Sequence, residues 1–347
     1  MALYTLDGNP IGSDKVITQD MIVNVGNGGD FSTINEAITY LSGFYPIYKK
    51  GGIKCYINIL DGTVISEQIA CSQMDLQWIT IVSNSTITER ITVGGEAKTV
   101  NIVSVNADNT WSYNMDDHDA RNTYPFISAE NAGKAPTIGC LFKLVENTSG
   151  MDISGLICNR GSEGVVLGWS GFDGFEVGCI ANNESSITIR QGISRNCSRW
   201  GVHSRHNGEC SARSALLTNC GTGAYSDRIA DLDIREAVLD GCTVAIDCEN
   251  ASRINANEAH LNGCGDASNV NNACIVVRDG SILNCTSIEI VNPVSQVFSH
   301  SGGAIIACNQ LAVTNPNGVR IVKTAFGTNL TNQINASGIF FTGATLS

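Results

Sequence analysis

The chain has 347 residues, a formal net charge of −12, only 16% charged residues and 36 glycines. The acidic balance excludes the basic surface that nucleic acids and anionic membranes require. No apolar run approaches the ~20 residues of a membrane-spanning helix. Few helix formers and many turn residues indicate an all-β chain.

The N-terminal region begins with a turn-rich lead-in or arm at 1–21. Residues 22–41 then indicate a strand, a glycine turn and a short helix near 32–42, with Ser32 as the expected N-cap. The apolar stripe of this helix consists of Ile34, Ala37, Ile38 and Leu41. A helix placed here covers the open first coil of a solenoid, whose strand edge would otherwise pair with other chains.

Two irregular segments precede the regular part of the chain. The acidic loop at 116–119 offers oxygen ligands for Ca²⁺, but its spacing is not that of an EF-hand, so we predict an exposed loop and no metal site. The segment 169–176 indicates an insertion rich in aromatic residues and glycine. Exposed rings such as Trp169 would stack on sugars beside Asp173 and Glu176. The alternative is a folded-over loop whose phenylalanines are buried.

The stretch from 195 to 309 repeats a cysteine at nearly constant intervals. The gaps, by subtraction, are 23, 22, 22, 21 and 23 residues between Cys197, Cys220, Cys242, Cys264, Cys285 and Cys308. Each interval holds two or three alternating runs separated by Gly, Asn, Asp and Ser, which is the pattern of strands and turns. A fixed period of roughly 20 to 50 residues indicates stacked units. We therefore predict a parallel β-helix at 22–310, with one cysteine per coil in an internal stack of reduced thiols. We expect residues 311–347 to form a cap or a trimer-associating segment.

Alternation along the strands divides the side chains of these coils between inside and outside. The segments 201–205, 223–227, 244–248 and 274–278 align with one another. The side chains expected to point inward are Val202, Ala224, Ala245 and Ile275 in the first strand of each coil, and Cys210, Leu232, Ile254 and Ile282 in the second. Those expected on the outer surface are His203, Arg205, Tyr225, Asp227, Arg213, Asp233, Arg235 and Glu236.

An outward ladder of this kind predicts a saccharide groove. Glycoside hydrolysis needs two carboxyl groups, roughly 5 Å apart for retention and about 6.5 to 9.5 Å for inversion. Coils lie about 4.8 Å apart, so both separations are reachable. The catalytic candidates are Asp227, Asp233 and Glu236, followed by Asp173 and Glu176. The substrate-binding candidates are His203, Arg205, Arg213, Tyr225 and Trp169. The alternative is a solvated face of surface salt bridges.

The N-terminal and coil motifs resemble known β-helical proteins. The segment Gly29-Asp30-Phe31-Ser32-Thr33-Ile34-Asn35-Glu36-Ala37 resembles the opening of the pectin-lyase-like right-handed parallel β-helix superfamily. Together with the coil motifs at 55–68 and 75–82, the block at 100–142 and the ending at 337–341, it makes the chain similar to bacteriophage tailspike proteins. The motifs of pectin methylesterases, polygalacturonases and pectate lyases have no counterpart here.

The resemblance to tailspikes implies a homotrimer attached to a phage tail or baseplate protein. Such a protein folds in the host cytoplasm and acts from the virion at the bacterial surface, where it binds and usually cleaves a capsular polysaccharide or O-antigen without a cofactor. We expect cleavage by hydrolysis. An elimination reaction would instead use Tyr225 or His203 as the base. The alternatives are a non-catalytic receptor-binding spike, and a secreted or surface-associated bacterial carbohydrate-active enzyme.

Overall fold

The computed structural model describes residues 16–46, 53–112, 123–266, 268, 273–314, 322–324, 339–342 and 345–346. These residues form many short β-strands and one α-helix. The acidic loop at 116–119 and most of the lead-in lie outside the described residues, as does much of the C-terminal segment. Within the described part of the chain, no helix is long and apolar enough to cross a membrane.

The helix is α1 (Ile34–Leu41). The strands of the first half are β1 (Val16–Ile17), β2 (Met21–Val25), β3 (Tyr45–Pro46), β4 (Cys55–Ile59), β5 (Val64–Ile65), β6 (Ile69–Ser72), β7 (Ile79–Ser83), β8 (Thr88–Val93), β9 (Glu96–Ala107), β10 (Thr123–Glu130), β11 (Thr137–Ile138), β12 (Leu141–Asn147), β13 (Asp152–Asn159), β14 (Glu163–Val165), β15 (Gly171–Asp173), β16 (Val177–Ala181) and β17 (Ser186–Thr188). Those of the second half are β18 (Ile193–Arg195), β19 (Trp200–Arg205), β20 (Glu209–Ser211), β21 (Thr222–Asp227), β22 (Asp231–Asp233), β23 (Val244–Cys248), β24 (Arg253–Asn255), β25 (His260–Asn262), β26 (Ile275–Val277), β27 (Ile282–Asn284), β28 (Glu289–Val291), β29 (Phe298–His300), β30 (Ile305–Asn309), β31 (Ala312–Thr314), β32 (Val322–Thr324), β33 (Ile339–Thr342) and β34 (Thr345–Leu346).

The strands stack into parallel sheets in which each strand pairs with its equivalent one repeat away. The long sheet has ten strands in the order β32-β29-β26-β23-β21-β19-β16-β13-β10-β6, and the eight-stranded sheet runs β14-β17-β20-β22-β24-β27-β30-β33. A six-stranded sheet contains β5, β9, β12, β15 and β18, with β8 added to β9 as an antiparallel hairpin. The remaining sheets are smaller. This arrangement is consistent with the predicted parallel β-helix and confirms the all-β class.

The register corrects the predicted alignment at two positions, although Ala245 is itself buried in the core as predicted. Ala224 pairs with Ile246, not with Ala245, and Ile254 pairs with Leu283, so that Ile282 lies on the outer face. Strand side chains alternate between faces, and an alignment error of one residue therefore exchanges inside for outside. The alignment is thus one residue out in the third segment of the first strand and at the fourth position of the second strand.

The left-handed turns explain why asparagine or glycine precedes most of the repeated cysteines. Asn196, Asn219, Gly241, Gly263 and Asn292 all have positive φ values between 48° and 67°, a conformation that asparagine and glycine tolerate best. Each of the first four is followed directly by a cysteine. Asn292, which ends a longer coil, is followed by Pro293 instead. Turn chemistry and coil register therefore agree.

The cysteines form two ladders, which corrects the prediction of one continuous stack. The first ladder contains Cys197, Cys220, Cys242 and Cys264, each four residues after a bridge position in the same sheet column. Cys285 instead follows β27 on the eight-stranded sheet, where its carbonyl accepts a hydrogen bond from Cys308 Sγ at 3.0 Å. All fourteen cysteines are buried free thiols, which confirms the prediction that they are core residues.

The helix α1 confirms the predicted apolar stripe, because its four stripe residues are all buried. The N-cap is Thr33, however, and the assignment to Ser32 was wrong by one residue. The Thr33 hydroxyl accepts from the backbone N–H of Glu36 at 3.1 Å, and the Glu36 carboxylate accepts from the N–H groups of Thr33 and Ser32. This reciprocal capping box satisfies donors that Ser32 alone would have left unpaired.

The segment 169–176 is a regular part of the solenoid, and its prediction as an insertion was wrong. Gly171–Asp173 is β15, which pairs with β12 and β18. Phe172 and Phe175 are fully buried, with their ring centroids 5.4 Å apart, and Phe126 and Phe142 pack beside them. The phenylalanines therefore belong to the interior, as the alternative interpretation of this segment had it.

Candidate active site

Two columns of polar side chains rise along the outer face of the long sheet. In the first column, His203 is in register with Tyr225, and Tyr225 with Asp247. In the second column, Arg205 is in register with Asp227. The next positions of the second column are Glu249 and Arg278, whose backbone N–H groups continue the parallel hydrogen bonding to Ser226 and Cys248. We call these seven residues the polar columns.

The lower half of the polar columns is buried, so the expected exposure of its residues on an open surface was wrong. His203, Arg205 and Asp227 are each 1% exposed and Tyr225 is 4% exposed. The ring of Trp200 packs against Tyr225 and His203, with centroids 5.5 and 4.7 Å away. Large side chains of neighbouring coils therefore shield one another from water on this outer face.

Charge pairing holds the buried half together. His203 Nε2 lies 2.9 Å from Asp227 Oδ1, and Arg205 Nε and Arg228 Nε each lie 3.7 Å from an oxygen of the same carboxylate. Burial acts to raise the pKa of Asp227, but the hydrogen bond from His203 and the charges of Arg205 and Arg228 outweigh it, and the pKa is lowered. Asp227 is therefore an ionised anchor.

The upper half of the polar columns opens to solvent and brings two carboxyl groups together. Arg278 Nη2 lies 3.1 Å from Asp247 Oδ2, and Arg278 Nε donates to Glu249 Oε2 at 2.6 Å. The Tyr225 hydroxyl donates to the other oxygen of Glu249. The side chains of Asp247, Glu249 and Arg278 are 16%, 15% and 39% exposed. A ligand in solution can reach this part of the face.

The electrostatics of the two upper carboxyl groups favour a retained proton. Burial raises the pKa of Asp247 to about 7; Arg278 opposes this shift, and the charges of Glu249 and Asp227 add to it. Among the described residues, Asp247 Oδ1 accepts no hydrogen bond, so Arg278 at Oδ2 is the only cation that contacts this carboxyl group. Burial and the hydrogen bond to Glu249 also raise the pKa of Tyr225. Asp247 therefore keeps its proton until the pH approaches about 7, beside a second carboxyl group.

The predicted carboxylates Asp233 and Glu236 belong to the eight-stranded sheet and its turns. Arg235 donates to Asp233 at 2.9 and 2.7 Å, while Arg213 and the Ser214 hydroxyl donate to Glu236. Burial acts to raise the pKa of Asp233, but its bonds from Arg235 lower it; the bond from Arg213 is the main cause of the lowered pKa of Glu236. Both groups are suited to remain ionised, and neither is suited to donate a proton.

In the segment 169–176, Asp173 lies on the six-stranded sheet and the other predicted residues lie in turns, where they serve local structure. Arg195 donates to Asp173 at 2.9 Å, and Glu176 accepts the backbone N–H of Ile153 at 2.6 Å. The Lys98 ammonium lies 3.5 Å above the Trp169 ring. The structure thus unites His203, Arg205, Tyr225 and Asp227 in one cluster but leaves the other predicted residues on separate sheets.

Sequence reasoning missed Asp247, Glu249 and Arg278. The segment alignment matched Ala245 with Ala224, which turned Asp247 inward, whereas the register places it above Tyr225. The signal was present in the cysteine period: Cys220 and Cys242 are 22 residues apart, and 22 residues after Tyr225 is Asp247. Counting along the period, rather than matching similar residues, would have found the upper half of the site.

Comparison with protein-family models finds no match, and no curated protein matches the chain either. Within the part of the chain that the structure describes, no group of three or more His, Cys, Asp or Glu side chains is placed to hold a metal ion. The functional argument therefore depends on the chemistry of the polar columns and on the motifs of the sequence.

Proposed function

We propose that the protein binds a bacterial surface polysaccharide and hydrolyses its glycosidic bonds, with Asp247 as the general acid and Glu249 as the nucleophile or water-activating base. One observation carries this proposal. Two partly exposed carboxyl groups contact the same arginine, Arg278, and the pKa of one of them is raised to about 7. Glycosidases need one protonated and one ionised carboxyl group on either side of the scissile bond.

The spacing of the pair suits this chemistry. Residues two apart on a strand point to the same face with Cα atoms about 6.6 Å apart, and the shared guanidinium of Arg278 draws the carboxyl groups of Asp247 and Glu249 toward each other. Retaining enzymes use roughly 5 Å and inverting enzymes about 6.5 to 9.5 Å between the carboxyl groups. The Tyr225 hydroxyl and Arg278 orient Glu249 from two sides, which fixes the group that must attack or activate water.

Hydrolysis fits these groups better than elimination does. A lyase needs a base that is deprotonated near neutral pH, and the raised pKa of Tyr225 makes its hydroxyl a donor. His203, the other candidate base, is 1% exposed and bonded to Asp227. A carboxyl group that keeps its proton to about pH 7 supplies the acid that a glycosidase requires.

The resemblance of the N-terminal and coil motifs to tailspikes extends the proposal to the whole particle. We infer a right-handed β-helix whose first coil is covered by α1 and which assembles as a homotrimer on a phage tail or baseplate protein. The virion would then present the polar columns to capsule or O-antigen at the bacterial surface. The burial of the α1 apolar stripe against the solenoid core supports the covering role.

The test is incubation with purified surface polysaccharides from a panel of bacteria, followed by chain length, reducing ends and the ultraviolet absorbance of a new double bond. We expect shorter chains and new reducing ends without that absorbance. In Asp247→Asn and in Glu249→Gln, cleavage should fall by about 10²- to 10⁴-fold. Glu236→Gln, which removes a carboxylate of the eight-stranded sheet, serves as the control and should cleave like the wild type.

The other outcomes of this experiment each assign a different function. New double-bond absorbance would make the protein a lyase and overturn hydrolysis. Binding without shortening would favour the non-catalytic receptor-binding spike, in which Asp247, Glu249 and Arg278 form a structural ion-pair network. Equal losses of cleavage in Glu236→Gln and Asp247→Asn would mean that a raised pKa does not identify the catalytic acid, and would overturn its assignment to Asp247.

A further inference from the structure

A concave surface lies on the eight-stranded sheet, where strands β20, β22, β24 and β27 form its floor. It encloses ≈ 270 Å³. We call it the acidic groove, and its lining side chains include Glu209, Asp231, Asp233, Arg253, Asn255 and Ile282. None of these residues belongs to the polar columns, so the groove is a site that the proposed hydrolysis does not use.

The acidic groove and the candidate active site lie on the two sides of one turn stack. In three successive coils the chain passes from the polar columns to the groove within four residues: Asp227 to Asp231, Glu249 to Arg253, and Arg278 to Ile282. A two-residue left-handed turn separates the faces each time. Four residues span at most about 14 Å. A polymer bound at Asp247 and Glu249 can therefore continue over the rim into the groove.

The lining alternates in a way that suits a hydroxyl-rich chain. Along one column, Glu209, Asp231, Arg253 and Ile282 are register partners, which offers acceptors, then donors, then an apolar surface that is 36% exposed. In the neighbouring column, Asn255 is in register with Asn284, and each amide both donates and accepts. Column positions recur about every 4.8 Å, so each coil can offer one polar or apolar contact along a bound saccharide chain.

The charges in the acidic groove indicate which charged sugars it would bind. Glu209 and Asp231 are register partners of like charge, an arrangement that destabilises neighbouring strands. Within the described residues, neither side chain forms an ion pair or hydrogen bond, while Asp233 is already paired with Arg235. An ammonium group bound between Glu209 and Asp231 would relieve the repulsion, and a uronate carboxylate bound there would add to it. Arg253, the next residue of the column, offers an anion one cation against these two carboxylates.

We propose that the acidic groove is a saccharide-binding site for the part of the polysaccharide next to the cleaved bond, and that it accepts amino-bearing sugars and excludes uronates. In placing the cleaved bond at Asp247 and Glu249, this inference rests on the proposed function. Its ligand preference depends only on the charges and contacts of the groove itself.

The test is calorimetric binding of three oligosaccharides of equal length: a glucosamine oligomer, its N-acetylated counterpart and a galacturonate oligomer. The wild type should bind the glucosamine oligomer best and the galacturonate oligomer least. Glu209→Gln/Asp231→Asn should weaken binding of the glucosamine oligomer by about tenfold, since two exposed ion pairs are lost. The control Glu96→Gln/Glu146→Gln removes two exposed charges elsewhere and should bind like the wild type.

The variants separate failure of this inference from failure of the proposed function. If Glu209→Gln/Asp231→Asn binds the glucosamine oligomer as tightly as the wild type, or if galacturonate binds best, the groove is not the proposed site, whatever is cleaved. A different result is that Asp247→Asn still binds this oligomer at the groove while the wild type cleaves no polysaccharide of the panel. That result supports the binding site and overturns the proposed hydrolysis. Equally weakened binding of the glucosamine oligomer in the control Glu96→Gln/Glu146→Gln would mean that overall charge causes the effect, and would overturn the proposed binding site.

Discussion

Replacing Asp247 with asparagine should change how the stability of the protein depends on pH. The carboxyl group has a pKa of about 7 in the folded chain, against 3.8 as its ordinary value. A folded pKa above the unfolded one means that the folded state binds the extra proton. The stabilisation is complete below about pH 4 and is lost as the pH rises through 7. Asparagine carries no such proton and shows no such loss.

The magnitude follows from the two pKa values. For one group titrating at 3.8 in the unfolded chain and at about 7 in the folded chain, linkage gives a loss of about 2 to 3 kcal/mol in the free energy of unfolding between about pH 5 and pH 8. The wild type should lose this amount beyond any loss in Asp247→Asn. The difference in slope is independent of whatever the missing contact with Arg278 costs at both pH values.

The assay is urea unfolding followed by tryptophan fluorescence at closely spaced pH values. Asp233→Asn is the matched control because the pKa of Asp233 is lowered by Arg235, so this group titrates below the window. Its profile should run parallel to that of the wild type. Parallel profiles for the wild type and Asp247→Asn would refute the reasoning, since they would mean that Asp247 is already ionised in the folded protein at pH 5. The same titration should lower the cleavage rate as the pH rises through 7.

Three further perturbations test the packing around the site. Arg195→Met should cost about 3 kcal/mol in urea unfolding, since it leaves buried Asp173 without its cation, and Arg195→Met/Asp173→Leu should recover part of that loss. Phe172→Ala, in a fully buried aromatic cluster, should cost about 3 to 5 kcal/mol, with a cost under 1 kcal/mol as the contrary result. Burial raises the pKa of Cys210 to about 12, and a thiol reagent should therefore titrate the fourteen cysteines only after unfolding; rapid labelling of the native protein would contradict their burial.

The repeat predicted most of the fold because coil length leaves a direct trace in the sequence. The left-handed turn of one corner column holds Asn or Gly, as at Asn196 and Gly241, and the next residue enters the core as cysteine. The cysteine period no longer reports the register where a coil changes length. Val276 follows its register partner Asp247 by 29 residues instead of 22, so the next cysteine, Cys285, belongs to another column. Spacing alone cannot distinguish a shorter repeat from a jump between columns.

Only the lower half of the site was predicted from the sequence, because whether an outward side chain is buried depends on the side chains that surround it. Alternation correctly stacked Tyr225 on His203. Alternation could not show that Trp200 would cover both rings, since that contact crosses coils and depends on ring size. Nor could it show the raised pKa of Asp247, which needs the local degree of burial as well as the positions of the surrounding charges.

The first polar column explains how one face can hold both an anchor and a reactive acid. Below it in the same register lie Ile157 and Ile180, and the column itself continues through His203 and Tyr225 to Asp247, so that the side chains pass from apolar to aromatic to acidic. The lower positions are packed and dry, whereas Asp247 is 16% exposed. A carboxyl group deep in the packed region would need full charge pairing, as Asp227 has, and would stay ionised. One in open solvent would keep its ordinary pKa. Only at the boundary is burial strong enough to retain the proton and exposure sufficient for a ligand to approach.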